Sequence, residues 1–315
     1  MIYGFLLLLS LLGTYVMRWY SLKKDILDIP NDRSSHTVPT PRGGGVAIII
    51  VFYIGLLYFY KSVDTHLFYA LLTAIPIALI SILDDIYTLS SKVRFLVQSM
   101  AAISALYCLG GVNHIDFIVF ELSGVWLNMI AFIAILWLTN LYNFLDGIDG
   151  YAGMEAVTVG IGIYVLFGNP MGLVISMASV GFLYFNWHKA SIFMGDVGSA
   201  TLGFIFAVFV FSDTTHGNIY IWMVLLSLFW LDATVTLMRR ARNKEKLTQA
   251  HKKHAYQRLV QSGYIPSRIV LYAGSINIVF IIFLYYWDHP LIILGTNMLV
   301  LSLILNFIER KKQFT

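Results

Sequence analysis

The chain is short of cysteine, and it carries little charge for its length. Its 315 residues include one cysteine, Cys108, so no disulfide and no cysteine-based metal site can form within one chain. Charged residues make up 12% of the sequence and hydrophobic residues 58%, whereas soluble domains carry about 25% charged residues. These shortages exclude a disulfide-stabilised secreted domain and a soluble enzyme, and they indicate a protein of the bilayer.

The chain also lacks the marks of a second domain and of one common phosphate site. No linker or low-complexity tract divides it, so we interpret residues 1–315 as a single domain. The first apolar run has no basic n-region and no convincing cleavage site, and we expect it to be a retained helix. The triple glycine at 43–45 is not followed by Gly-Lys-Ser/Thr, which excludes a Walker loop.

Apolar runs of roughly 17 to 21 residues recur along the whole chain, and each is long enough to cross a hydrocarbon core of about 30 Å. They lie near 1–17, 43–60, 66–83, 95–112, 123–142, 150–168, 170–187, 197–212, 218–238, 269–286 and 289–308. The runs predict an all-α, polytopic membrane protein with about eleven spans, or about ten if one of the glycine-containing runs is re-entrant.

Lysine and arginine fall on one side of the membrane under this prediction. Twenty of the 21 basic residues lie in loops on that side, and only Lys61 lies opposite. Basic loops face the cytoplasm, so we expect an external N-terminus and a cytoplasmic C-terminus. This bias also explains the formal net charge of +4, and we do not expect nucleic-acid binding. The predicted cytoplasmic site loops are 18–42, 84–94, 143–150, 188–199 and 239–268.

Acidic residues also gather in loops on the cytoplasmic side. Asp84 and Asp85 end the third run, and adjacent carboxylates repel each other unless a cation or a proton lies between them. Asn143, Asp146 and Asp149 are three residues apart, which places them along one face of a helix. The ordinary alternatives are a solvated helix end and a polar turn. Carboxylates this close to the membrane are costly and need a counter-cation, which favours a functional site.

A third motif reads Phe193-Met194-Gly195-Asp196-Val197-Gly198-Ser199. Asp196 begins a predicted helix, where free amide N–H groups and glycines can hold a phosphate while the carboxylate binds a metal. A helix-capping aspartate is the ordinary alternative.

The remaining candidates lie in basic segments and in one span. His251 and His254 are three residues apart in a cation-rich loop, which suits anion binding and proton transfer near pH 7. The preference of basic residues for cytoplasmic loops, next to anionic lipid headgroups, explains the lysines and arginines of that loop but not the histidines. We call this preference a topology signal. The Arg33–His36 segment precedes the triple glycine at 43–45, which serves either tight helix packing or phosphate approach. Asp232, inside the ninth run, either pairs with a neighbouring helix or completes the site.

In this order, the motifs resemble the polyprenyl-phosphate N-acetylhexosamine-1-phosphate transferase superfamily. The resemblance runs from about Pro30 to Arg258. It rests on the combination of Asp84-Asp85, Asn143-x-x-Asp146-Gly-x-Asp149-Gly, Phe193-x-Gly-Asp196-x-Gly-Ser and the His251 loop. The form His-x-x-His-x-Tyr-Gln-Arg is similar to the branch that initiates O-antigen synthesis.

The resemblance implies a bacterial inner-membrane enzyme that moves an N-acetylhexosamine-1-phosphate, or a 6-deoxy relative, from a UDP-sugar to undecaprenyl phosphate. It implies release of UMP and use of Mg²⁺, or of Mn²⁺ in its place. Asp196 is the principal expected metal ligand and Asp85 the second, Asp84 and Asp85 serve the acceptor phosphate, and Asp146 and Asp149 complete the polar centre. The expected substrate contacts are Asn143, Phe193 stacked on uracil, His251, His254, Arg258 and Arg42.

One departure from the family and two other functions are weighed against this interpretation. Thr88 stands where the family often has a further acid or amide, so Asp196 becomes the stronger candidate for a metal ligand. A transporter or flippase of lipid-linked sugars would carry ionisable residues at mid-membrane, and in this chain only Asp232 is clearly intramembrane. A CDP-alcohol phosphotransferase would need Ala-Arg soon after Asp146-Gly147. The sequence leaves the UDP-sugar open, and also the choice between monomer and homodimer.

Overall fold

The computed structural model describes residues 1–30, 38–87, 89–214, 218–247, Gln249 and 251–314, and most of these residues are helical. The helices are α1 Ile2–Lys23, α2 Gly45–Tyr58, α3 Thr65–Leu72, α4 Ile75–Tyr87, α5 Ser91–Cys108, α6 Trp126–Phe144, α7 Tyr151–Phe167, α8 Pro170–Asn186, α9 Asp196–Ser212, α10 Asn218–Leu225, α11 Ser227–Arg242, α12 Ala255–Gln261, α13 Pro266–Tyr286 and α14 Pro290–Lys311. Two antiparallel hairpins pair β1 Leu27–Asp28 with β2 Thr40–Pro41, and β3 His114–Asp116 with β4 Glu121–Ser123. The Arg33–His36 segment and Thr88 lie outside the described residues.

Each apolar run of the sequence corresponds to a helix or to a pair of helices. Over the described ranges, five segments are long and apolar enough to cross a membrane, namely α1, Thr65–Asp85, α6, α13 and α14. Helices α10 and α11 pass the same test together, with a bend of 74° between them. Four shorter apolar helices, α2, α7, α8 and α9, accompany them. The chain is a multi-pass membrane protein, while the count of eleven spans stays a prediction.

Helix α9 lies at the centre of the bundle. Residues 197–211 are all buried, as expected for a helix that is apolar on every side and enclosed by others. Helix α6 packs along it, and so do α4 and α2. A Cβ on Gly45 of α2 would collide with the backbone of Gly198, so α2 and α9 meet at backbone contact. Because α9 begins at Asp196, this packing fixes the position of that carboxylate.

The two ends of the bundle differ in character. At one end, Arg94 at the start of α5 joins Asp84 at the end of α4 to Asp196; we call this the acidic end. At the opposite end, the β3–β4 hairpin binds the segment after α9. There the hydroxyl of Thr214, two residues after α9, donates to the carbonyl of His114 at 2.8 Å.

We expect the acidic end to face the cytoplasm, because the basic loops lie there. Asn113, beside the hairpin, and Lys246, after α11, are both exposed. In a Cys108→Ser background, Asn113→Cys should react with an impermeant maleimide applied to intact cells, and Lys246→Cys should react only after permeabilisation. The reverse labelling pattern would overturn the orientation.

Candidate active site

Four aspartates from three chain segments interact with one another, and an arginine bridges two of them. Asp84 and Asp85 end α4, Asp146 lies in the loop 145–150, and Asp196 begins α9. Arg94 Nη1 donates to Asp84 Oδ2 at 2.7 Å and to Asp196 Oδ2 at 2.8 Å. Asp85 and Asp146 both interact electrostatically with Asp196. We call the four carboxylates the acidic centre.

Neighbouring groups fix the orientation of these carboxylates. Asp84 Oδ1 accepts the backbone N–H of Leu89 at 2.6 Å. The side chain of Asn143 hydrogen-bonds Asp196, and its Oδ1 accepts the hydroxyl of Ser199 at 2.8 Å. Asn143 therefore ties the end of α6 to the start of α9 and holds the Asp196 carboxylate. A direct contact of Asn143 with substrate stays a prediction.

Arg42 is a second cation beside the acidic centre. Its Nη2 donates to Asp28 Oδ1 at 2.6 Å, a pair that the β1–β2 hairpin brings together. The guanidinium also interacts electrostatically with Asp85 and Asp196. Arg42 is thus placed near the acidic centre, and its contact with substrate stays a prediction.

The acidic centre has an excess of negative charge. Burial raises the pKa of Asp146 to about 7, and the charges of Asp196 and Asp149 add to the rise. Desolvation and like charge both disfavour the ionised carboxyl, and a cation would reverse their effect. Arg94 neutralises only part of this charge, because a single guanidinium bridges Asp84 and Asp196.

The donor atoms of the acidic centre suit Mg²⁺. They are carboxylate oxygens, and Mg²⁺ commonly binds one or two carboxylates together with substrate phosphates and water. Over the described residues, no three acidic, histidine or cysteine side chains already converge on one metal position. The residues therefore fit a metal ion that takes its remaining ligands from the substrates.

The glycine-rich segment before α2 binds the segment before α9 through the backbone. The N–H groups of Gly44 and Gly45 donate to the two carbonyls of residues 193–194, both at 2.9 Å. Gly195 has a φ of 73°, and a Cβ there would lie 2.9 Å from Asp85 Oδ2, so the position requires glycine. Of the two uses that the sequence left open for the triple glycine, these contacts support tight packing.

A cavity of about 470 Å³, which we call the Phe193 cavity, is lined by the loop 145–150 and by the segment before α9. Phe193, Ile148 and Asp149 line it together with His188. Asp149 Oδ2 accepts the backbone N–H of Ala190 at 3.1 Å and lies 2.8 Å from His188 Nδ1. An aromatic ring and an oriented carboxylate thus face one space, as in sites for flat polar ligands.

A second cavity, of about 370 Å³, lies between α4, α5, α6 and α9. Arg94 and Asp196 line it with Lys92 and the apolar Phe95, and we call it the Arg94 cavity. Phe193 and Asp196 are three residues apart and line different cavities. Asp196 of the acidic centre lines the Arg94 cavity, and Asp146 interacts electrostatically with Asp149, which lines the Phe193 cavity. The acidic centre therefore interacts with residues of both cavities.

The two histidines of the basic loop, residues 243–254 between α11 and α12, lie in different surroundings. His254 is 2% exposed, with Nδ1 3.5 Å from Asp232 Oδ1. His251 is partly buried, and its Nδ1 accepts the backbone N–H of Lys253 at 3.2 Å. Burial, reinforced by the nearby His254, lowers the pKa of His251 to about 4. His251 is therefore neutral at pH 7, with its proton on Nε2, whereas His254 is enclosed, and its contact with a substrate stays a prediction.

Asp232 and Arg258 hold α12. Both carboxylate oxygens of Asp232 accept the N–H of Ala255 at 2.9 Å, so Asp232 anchors the start of this helix. Of the two roles that the sequence left open, pairing with a neighbouring segment agrees with this contact. Arg258 is 3% exposed and donates to Glu309 Oε2 at 2.7 Å. Its contact with substrate stays a prediction that the geometry does not favour, since it lines neither cavity.

Sequence reasoning missed Arg94 and His188 as site residues. Arg94 was expected only as a topology signal of the 84–94 loop, yet it lies between two carboxylates of the acidic centre. His188 stands five residues before Phe193 in a loop already predicted to belong to the site. A titratable residue inside a predicted site loop was the signal that could have found both.

Comparison with known proteins decides the family. The sequence profile described as Glycosyl transferase family 4 matches residues 67–213. A probable undecaprenyl-phosphate N-acetylglucosaminyl 1-phosphate transferase of Bacillus subtilis (strain 168) is 31% identical over 290 residues, covering 87% of this chain and 80% of that protein. The chain belongs to the polyprenyl-phosphate N-acetylhexosamine-1-phosphate transferase superfamily. The resemblance drawn from the motifs is confirmed.

Two further relatives are more distant. An undecaprenyl-phosphate alpha-N-acetylglucosaminyl 1-phosphate transferase of Yersinia pestis is 25% identical, covering 82% of this chain and 76% of that protein. A phospho-N-acetylmuramoyl-pentapeptide-transferase of Kosmotoga olearia is 28% identical, covering 56% of this chain and 61% of that protein. The matched profile contains the acidic centre and Phe193 but ends before the basic loop.

Proposed function

We propose that this protein transfers an N-acetylhexosamine-1-phosphate, or a 6-deoxy relative, from a UDP-sugar to undecaprenyl phosphate and releases UMP. The reaction would begin O-antigen or another cell-surface polysaccharide at the cytoplasmic face of a bacterial inner membrane. The observation that carries the proposal is the acidic centre, in which Asp196 lines the Arg94 cavity and Asp146 interacts with Asp149 of the Phe193 cavity. Two relatives named for undecaprenyl phosphate support the class of acceptor.

The donor fits the Phe193 cavity. Uracil is flat and polar, so it can stack on Phe193 while its N–H donates to the carboxylate of Asp149. The diphosphate would then extend toward Asp196, three residues beyond Phe193. His251 can serve these phosphates as a neutral N–H donor, because its Nδ1 is already occupied as an acceptor.

The acceptor fits the Arg94 cavity. Its phosphate needs a cationic anchor, which Arg94 supplies, and its polyprenyl chain needs an apolar environment. Phe95 lines the cavity, and α4, α6 and α9 around it are apolar enough to lie in a bilayer. The lipid can therefore present its phosphate to the acidic centre while its chain stays in the membrane.

This arrangement supports a direct displacement at the β-phosphorus of the donor. An oxygen of the lipid phosphate attacks the donor's β-phosphorus, the bond from that phosphorus to the bridging oxygen breaks, and UMP leaves with the electron pair. Mg²⁺ bound by Asp196 and Asp85 would offset the charge of the two phosphates. Arg94 anchors the acceptor phosphate. Because that phosphate is already an anionic nucleophile, its positioning supplies most of the remaining rate acceleration.

One experiment tests the proposal as a whole. Purified protein is incubated with undecaprenyl phosphate, Mg²⁺ and a panel of UDP-N-acetylhexosamines and their 6-deoxy relatives, and UMP release is measured. We expect release with at least one donor, dependent on both the lipid and the metal. No release from the panel, together with movement of lipid-linked sugar across proteoliposomes, would favour a flippase instead.

We predict that no covalent sugar-phosphate forms on the enzyme. A nucleophilic carboxylate of Asp84 or Asp85 would be repelled by the incoming diphosphate. Donor with a radioactive sugar, given to protein and Mg²⁺ without lipid phosphate, should leave the protein unlabelled and support no exchange of labelled UMP into the donor. Stoichiometric label on Asp84 or Asp85 that undecaprenyl phosphate discharges would reject direct attack.

A further inference from the structure

The end of α14 packs on the basic loop and on the helices that flank it. Glu309 Oε2 accepts hydrogen bonds from Arg239 Nη1 at 2.6 Å and from Arg258 Nη1 at 2.7 Å. Arg239 belongs to α11 and Arg258 to α12. One carboxylate of α14 therefore joins the two helices between which the basic loop runs.

The tail after α14 folds back over the same cations. The backbone N–H of Phe314 donates to Glu309 Oε1 at 2.9 Å. The ring of Phe314 lies 5.4 Å from the cationic groups of Arg239 and Lys253, and 5.5 Å from that of Arg258. A ring face at this distance attracts a cation. The tail thus closes over three basic side chains whose like charges would otherwise repel one another.

The buried guanidinium of Arg258 has its hydrogen-bond acceptors in the C-terminal segment. Its side chain is almost fully buried, and a buried guanidinium without a carboxylate partner is strongly disfavoured. Its Nη1 donates to Glu309 Oε2 and, at 3.0 Å, to the carbonyl of Lys312. Both acceptors come from the C-terminal segment, so that segment holds α12 together with Asp232.

Lys253 connects the tail to His251. Its ammonium faces the ring of Phe314 and pairs with Glu245 Oε1 at 2.8 Å. Its backbone N–H donates to His251 Nδ1 at 3.2 Å, the contact that leaves the imidazole proton on Nε2. Displacement of Lys253 would therefore remove the contact that fixes the orientation and the tautomer of His251.

Helix α12 connects the tail to the loop 145–150. The hydroxyl of Tyr256 donates to the carbonyl of Phe144 at 3.3 Å, and its ring stacks on Tyr151 with centroids 4.7 Å apart. A Cβ on Gly147 would collide with the Tyr256 hydroxyl. Helix α12 is thus packed directly on the loop that carries Asp146.

We propose that Glu309, with Phe314, is a positioning residue of the transferase. It holds the basic loop and α12 so that His251 and the loop 145–150 keep the geometry that donor transfer requires. The inference rests on the proposed function, and it gives a part in donor use to a segment beyond the region that the family profile matches.

Kinetics of point variants test the proposal. Glu309→Gln and Phe314→Ala should each lower kcat/KM for the UDP-sugar by about tenfold, the lower range for loss of a residue that orients a functional group. The KM for undecaprenyl phosphate should not change, because the Arg94 cavity lies on other helices. Phe314→Tyr keeps the ring and should restore wild-type kinetics. Arg310→Gln, next to Glu309 and exposed, is the matched control and should match the wild type.

A second measurement uses no substrate. Limited trypsin digestion in detergent should cleave after Lys244 and Lys246 faster in Glu309→Gln and in Phe314→Ala than in the wild type or Arg310→Gln. Equal cleavage rates would overturn the proposal. If the wild type releases no UMP with any donor, the proposed function fails, and the cleavage rates still decide whether Glu309 orders the loop.

Two combined outcomes would also overturn the proposal. Faster cleavage with unchanged donor kinetics would mean that the loop is ordered by the tail but does not serve the donor. A lower melting temperature together with an equal rise of the KM values for the UDP-sugar and for undecaprenyl phosphate would assign Glu309 a structural role alone.

Discussion

Replacement of Asp196 by asparagine should reduce UMP release by at least about 10³-fold, which corresponds to a loss of about 4 kcal/mol of charge stabilisation. The change keeps the shape of the side chain and removes its charge. Asn143, Arg94 and the close packing of α9 all remain to hold the residue in place. The loss should therefore appear in kcat at saturating substrates and Mg²⁺, with no change in the solubility or melting temperature of the protein.

The matched control is Asp288→Asn, which removes an exposed carboxylate between α13 and α14. It should keep the wild-type rate. Wild-type turnover and an unchanged Mg²⁺ dependence in Asp196→Asn would remove Asp196 from the role of principal metal ligand.

Much of the fold could be predicted because the bilayer restricts what apolar segments can do. A run of about 20 apolar residues must be helical in lipid, where each backbone polar group needs an internal partner. The break between α10 and α11 could not be predicted in this way. The run 218–238 is apolar on both sides of the bend, and the 74° angle depends on the helices around it.

The residues of the acidic centre could be predicted because carboxylates are unusual at their positions. Asp84, Asp146 and Asp196 lie at helix ends beside the membrane, where a carboxylate is costly, and each is part of a motif. Their convergence required knowledge of which helix ends are neighbours. Only the fold shows that α4, α6 and α9 end or begin at one point, with Asn143 between two of them.

The roles of individual lysines and arginines were harder to predict, because nearly all of them follow one pattern. All but one of the lysines and arginines agree with a topology signal. Arg94 and Arg258 are alike in that pattern, yet Arg94 bridges two carboxylates of the acidic centre, whereas Arg258 is buried against Glu309. The difference arises from contacts between residues far apart in sequence, for which spacing carries no signal.

Replacement of Arg94 by glutamine should lower kcat by about 10²-fold, since hydrogen bonds to charged groups contribute about 1.5–3 kcal/mol each. Arg94 Nη1 binds two carboxylates at once, and glutamine can neither neutralise them nor anchor a phosphate. Arg94→Lys keeps the charge but offers a compact ammonium in place of the planar fork, so its loss should be smaller. UMP release at saturating donor, acceptor and Mg²⁺ measures both variants.

The dependence on Mg²⁺ decides how Arg94 acts. Its guanidinium lies between Asp84 and Asp196, on the carboxylate proposed as the principal metal ligand, so it competes with a cation for the same charge. In Arg94→Gln the Mg²⁺ concentration for half-maximal rate should therefore fall while kcat also falls. Arg268→Gln, an exposed arginine at the start of α13, should change neither quantity. A lower kcat at an unchanged Mg²⁺ requirement would make Arg94 a phosphate anchor alone, and a normal kcat would remove it from the site.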